Sequence, residues 1–211
     1  MTGMNLGNLL IRIPALLIAI TFHEYAHGRM ANSLGDPTAR FQGRLTLNPM
    51  AHLDPIGLLM LWLVGFGWAK PVPVNPLNFR GDKKKGMIMV SAAGPAMNLS
   101  LAFISIFFQH IFYFVFYNEI LFVLLTSLGT YNILLAVFNL IPIPPLDGSK
   151  ILAGLLPYRY DHYYRQLEQF GPILLLLLIV TRSFHVVLGP LFYYIQSFMM
   201  ILISPIIRLF L

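Results

Sequence analysis

From Met87 to Tyr117 the chain carries no Asp, Glu, Lys or Arg, and after Glu119 none follows until Asp147. A helix that crosses a bilayer core needs about 20 mainly apolar residues. Lipid offers the backbone no hydrogen-bond partners, so apolar runs of this length fold as helices that satisfy themselves. The stretch therefore predicts two spans, joined at the far side by a turn at Asn118 and Glu119.

Composition extends the same constraint to the whole chain of 211 residues, which is 57% hydrophobic and 10% charged. A soluble domain carries about 25% charged residues, so a water-facing fold is excluded. The net charge of +6 falls in three clusters at 29–44, 70–85 and 150–165. These border apolar segments, as cytoplasmic loops do. A nucleic-acid binder would instead need a solvated basic face with stacking aromatics. There is no cysteine, which removes disulfides and thiolate ligands and leaves His, Asp and Glu for any metal.

The first apolar stretch runs from about Asn5 to Ala31. It lacks a basic leader and a small-residue cleavage site, and reads as a retained span. The alternation in GRLTLN predicts a short strand. Ile56 to Trp68 is too short to cross. Its GFG ending and the extended KPVPVNP after it predict a segment that dips in and returns, which also keeps both flanking basic clusters on one side. Ile120 to about Leu156 returns across the membrane, interrupted by NLIPIPPLDG. Gly171–Thr181 and Pro190–Leu211 predict a terminal hairpin. The expected fold is an all-α polytopic membrane protein: a three-helix core, terminal spans to make five or six in total, and a short re-entrant β-loop. One membrane-embedded domain over 1–211 is expected.

His23-Glu24-Tyr25-Ala26-His27 is the strongest chemical signal. Helical residues four apart share a face, so both imidazoles can reach one ion. Glu24 sits a step round, able to take a proton from the metal's water without being a ligand. Zinc suits the role because it is redox-inert and acidifies water to a pKa of about 7. Three ionisable side chains in an apolar helix are costly unless used.

The third ligand must come from another span. The extended soluble pattern would need Gly at Met30 and His at Ser33, and no Glu occurs between Glu24 and Glu119. Asp147 is the best candidate: it lies near the cytoplasmic end of its apolar segment, at a depth matching His23. Asp54 reads as a helix cap, Glu119 falls on the opposite side, and Asp36, Asp161 and Glu168 read as solvated. His52, His110, His162 and His185 read as boundary or packing residues. Pro142, Pro144 and Pro145 must break their helix and free carbonyls, which membrane depth tolerates only in protein or beside a wet cavity. Asn98 and Asn139 could serve a developing oxyanion or the substrate carbonyl, or hydrogen-bond between helices.

HEYAHG with NLIPIPPLDG resembles the site-2 protease family of intramembrane metalloproteases, whose pattern is HExxH on one span and N-x-x-P-x-P-x-L-D-G on another. The match falls on His23, Glu24, His27, Asn139, Pro142, Pro144, Leu146, Asp147 and Gly148, with a G-P-x-x-N element at Gly94, Pro95 and Asn98. The resemblance implies one zinc held by His23, His27 and Asp147, with Glu24 as general base. It further implies a membrane-protein or membrane-associated substrate, cut in or near a transmembrane segment. Gly65 and Gly67 look like the family's re-entrant loop, which pairs with an unwound substrate strand. A prokaryotic plasma membrane, with the site toward the cytoplasm, is the expected setting. The rival readings are a membrane metal-ion transporter, which leaves Glu24 without a duty, and an inactive scaffold.

Overall fold

The computed structural model describes residues 6–64, 67–181 and 183–208. Its helices are α1 (Leu6–Ser33), α2 (Thr38–Phe41), α3 (Pro55–Val64), α4 (Lys83–Val115), α5 (Glu119–Asn139), α6 (Asp147–Leu155), α7 (Asp161–Val180) and α8 (Phe184–Ile207). Helices α1, α4 and α5 pack on one another, α6 packs on α4, and α8 lies against α4 and α5. Among the described residues three helical segments are long and apolar enough to cross a membrane: Lys83–Val115, Glu119–Asn139 and Leu188–Ile207.

The helix ends lie where local chemistry puts them. Asp82 caps α4, its Oδ1 accepting from the N–H groups of Lys84 and Lys85 at 2.8 and 3.0 Å. Asn118 caps α5 through Leu121 N–H at 3.0 Å, so the predicted turn falls between α4 and α5. Asp54 caps α3 as expected, accepting from Ile56 and Gly57 at 2.9 Å each. Each such cap satisfies N–H groups that the first helical turn leaves unpaired. The proline cluster separates α5 from α6, with Leu140–Leu146 outside both.

Lipid gives apolar helices no hydrophobic reason to associate, so close packing and interhelical hydrogen bonds must hold them. The interfaces accordingly carry small buried residues: Ala15 and Ala19 on α1, Ala102 and Ser105 on α4, Ser127 and Ala136 on α5. On the outer side Met199, Ile203 and Ile207 of α8 close over Ala102, Ile106, Ile133 and Val137. Exposed Leu, Ile and Phe side chains on α3 and α7 face outward, as lipid-facing surfaces do.

Three expectations need correction. GRLTLN forms no strand, and no strand occurs among the described residues. Its conformation is fixed instead by single bonds: the Arg44 guanidinium donates to the carbonyls of Lys70 and Pro71 at 2.7 and 3.2 Å, and His52 Nε2 bonds the Thr46 carbonyl at 2.8 Å. The predicted dip is a short helix, α3, whose flanks meet at one antiparallel bridge, Leu53 to Ala69. Lys70 N–H donates to the His52 carbonyl at 2.9 Å beside it. The chain does turn back here, with no β-ladder among the described residues. Asp36, read as solvated, is fully buried.

Candidate metal and catalytic site

His23 and His27 lie on one face of α1, and the start of α6 brings Asp147 to them. The ligand-capable atoms of these three residues all lie within 4.8 Å of one another. His27 Nε2 is 3.0 Å from His23 Nε2, and Asp147 Oδ2 is 3.2 Å from the first histidine and 3.0 Å from the second. All three residues are buried.

The remaining ring nitrogens fix the tautomers. His27 Nδ1 donates to the Val90 carbonyl at 2.7 Å, and a carbonyl can only accept. His23 Nδ1 donates to Asn98 Oδ1 at 2.5 Å. The Asn98 amide is itself oriented, because Nδ2 donates to the Ala19 carbonyl at 3.1 Å and to Asn132 Oδ1 at 2.6 Å. Asn132 is held in turn by Nδ2 donating to the Leu128 carbonyl at 2.8 Å. In neutral rings with both Nδ1 atoms protonated, two Nε2 lone pairs and a carboxylate oxygen converge with no proton between them. Three acceptors about 3 Å apart repel unless a cation sits among them. Donors at tetrahedral angles around zinc, each about 2.0–2.1 Å from it, lie about 3.3 Å apart. The donor set and its spacing therefore fit zinc. Such outer partners also set ring orientation and ligand basicity.

Helix α4 reaches this close because Gly94 has no side chain: an added Cβ there would lie 2.6 Å from His23 Cε1 and against His27 Nε2. Lys150 Nζ lies 3.7 Å from Asp147 Oδ1, the oxygen turned away from the histidines. Glu24 stands outside the three-residue cluster. Its Oε2 accepts the N–H of Val72 at 2.8 Å.

The cluster opens on a cavity of about 830 Å³. Its walls include Glu24, Pro71, Val72, Asn139, Lys150 and Glu168. Gly67 also lines it and packs tightly on Gly57; Gly65 lies outside the described residues. Asn139 donates to the Leu135 carbonyl of its own helix at 3.0 Å while facing the cavity. Asn98 does not line the cavity and is fully buried, its amide committed to α1, α5 and His23. Asp54 stays on its cap. Sequence reading missed two contributors and gave Gly94 a place in its motif without a packing role. Asn132 could have been noticed as a side-chain amide inside an apolar run. Nothing in the sequence marks the Val90 carbonyl.

The family profile described as Peptidase family M50 matches residues 115–181, which include Asp147 but not the HEYAH segment. The chain is 42% identical over 185 residues to the "Putative zinc metalloprotease YwhC" of Bacillus subtilis (strain 168), covering 84% of each protein. It is 29% identical over 188 residues to Rip2 of Mycolicibacterium smegmatis, with 85% of this chain and 70% of that one covered. Rip2 of Mycobacterium tuberculosis H37Rv is 28% identical over 182 residues, with the same coverages. Both Rip2 proteins bear the same zinc-metalloprotease designation. No solved structure matches significantly. Apolar helices, a His-His-Asp cluster and relatives of this designation define a zinc metalloprotease that works within a membrane. The chain belongs to peptidase family M50, the site-2 protease family.

Proposed function

We propose that the protein hydrolyses a peptide bond in or near a transmembrane segment of a membrane-protein substrate, with His23, His27 and Asp147 holding zinc and Glu24 as general base. The observation that carries this is the convergence of three potential ligand atoms within 4.8 Å on the wall of a cavity that Glu24 also lines. Zinc, when bound, supplies Lewis-acid polarisation and acidifies water to a pKa of about 7.

The chain's own groups do the rest. Asn98 and the Val90 carbonyl hold the imidazoles in one tautomer. Glu24 takes a proton from water and delivers it to the leaving nitrogen, a role worth about 10²–10⁴-fold in rate. Asn139 is placed to meet the substrate carbonyl. The extended segment from Gly67 to Asn75 forms the wall along which an unwound substrate strand aligns. A helical peptide bond is shielded, so straightening it against an edge precedes attack.

In this reading residues 1–211 work as one catalytic unit. Helices α1, α4, α5, α7 and α8 cross the membrane and α3 dips in and returns. The basic loops and the site face the cytoplasm of a prokaryotic plasma membrane. Neither the site nor the relatives support the transporter reading. The test is cleavage of a membrane-embedded peptide by purified protein. Cleavage that survives a chelator or Glu24→Gln removes the mechanism.

A further inference from the structure

Between α3 and α4 the chain runs extended from Ala69 to Asn75 as a strap along the cavity, and both of its ends are fastened. At one end Arg44 grips the carbonyls of Lys70 and Pro71 at 2.7 and 3.2 Å. At the other, Asp36 Oδ2 accepts Asn75 N–H at 2.7 Å. Its Oδ1 accepts from Asn78 Nδ2 at 2.8 Å, Thr38 N–H at 3.1 Å and the Thr38 hydroxyl at 2.5 Å. A carboxylate with no exposed surface costs several kcal/mol to desolvate unless donors surround it. Here four do.

The strap's middle carries a second fact. Residues 71 and 73 are prolines, with no N–H to give. Val72 is thus the one donor in that stretch, and its N–H goes to Glu24 Oε2 at 2.8 Å. The wall that faces substrate and the carboxylate that handles the proton are joined by one hydrogen bond. That bond holds only while the strap stays at its present distance from α1.

We propose that Asp36 is a positioning residue for proteolysis, which holds Glu24 in place by clamping the strap that carries Val72. Asp36 follows α1 and Asn75 precedes α4, so the clamp ties the turn beyond one core helix to the approach to the next. A second bond, Arg80 N–H to the Leu34 carbonyl at 2.8 Å, sets the same two segments side by side. The inference rests on Glu24 as the base.

In Asp36→Asn an amide NH2 replaces one acceptor, so one set of donors loses its partner while size is kept. The experiment measures zinc content, kcat on a membrane-embedded peptide, and backbone amide exchange at Val72 and Asn75, in wild type and variant. Expected are unchanged zinc, exchange at Val72 faster by about tenfold or more, and kcat lower by about 10–100-fold, the scale of a small misplacement of a catalytic group. Should Asp36→Asn not fold, Asn78→Ala removes a single donor and carries the same test with a smaller effect. Val72 exchange unchanged while Asn75 exchange rises, or kcat at the wild-type value, overturns the proposal. So does loss of zinc from the folded variant, which would place the effect on the metal face. A wild type that binds zinc yet cuts nothing overturns the proteolytic reading instead, and Val72 exchange still decides the part played by Asp36.

Discussion

Asn98 accepts the Nδ1–H of His23 at 2.5 Å while donating to Ala19 and Asn132, so one side chain joins α1, α4 and α5 and selects the nitrogen that faces Asp147. Replacing it with Ala frees the imidazole to rotate and to change tautomer. Outer partners of this kind are worth about 10–100-fold in metal affinity. Zinc affinity of Asn98→Ala, measured by competition with a chelator, is expected to fall by that factor. An unchanged affinity would show that α1 alone orients the ring.

His23→Ala, His27→Ala and Asp147→Ala each remove one of three donors and are expected to bind zinc weakly or not at all. Metal analysis of the purified variants checks this. Full occupancy in Asp147→Ala would exclude Asp147, and Asp54 could take its place only by leaving its cap on α3.

Glu24→Gln keeps size and a carbonyl acceptor for the Val72 N–H, so the strap stays fastened. The variant is expected to hold zinc at wild-type stoichiometry and to cut about 10²–10⁴-fold more slowly or worse. Zinc content and cleavage of the same peptide, measured side by side, separate the two roles. An undiminished rate would remove Glu24 as the base.

The basic clusters at 29–44 and 70–85 and the segment 157–168, which runs into α7, are expected on one side of the membrane. The chain has no cysteine of its own, so single introduced cysteines can be labelled from either side. Labelling of 70–85 from outside would turn α3 from a dip into a crossing.

Asp36 makes stability depend on acid. Burial pushes its carboxyl up, but the bonds from Thr38, Asn78 and Asn75 outweigh this and hold it below the ordinary 3.8. A carboxyl depressed in the folded state contributes stability above its unfolded value and loses it as pH falls through the folded one. The stability gap between wild type and Asp36→Asn is therefore expected to be full near neutrality and to shrink as pH drops below about 3.8. Thermal unfolding across that range checks it; a constant gap would contradict the linkage.

The meeting of His23, His27 and Asp147 was legible because two of them sit four apart on a helix and the third was expected at their depth. The spans were legible because charge is absent between Lys85 and Asp147 except at Glu119. What escaped depends on how distant segments meet. His23 and Asn98 are 75 positions apart, and neither polarity nor spacing says that they touch. Asp36 looks solvated in GDPTAR because its donors at Asn75 and Asn78 arrive only when α4 docks. GRLTLN alternates as a strand does, yet side-chain-to-backbone bonds from Arg44 and His52 shape its surroundings, and no neighbouring strand is present among the described residues to pair with it.

Gly94 turns one missing carbon into a condition for the chemistry. The space a methyl group would fill at that position is the space along which two imidazole edges meet. An alanine there is an internal competitor, tethered permanently beside the donors and beyond the reach of dilution. Sequence drift at 94 thus offers a short route from a cutting enzyme to a silent membrane helix bundle, with His23, His27 and Asp147 still in their register.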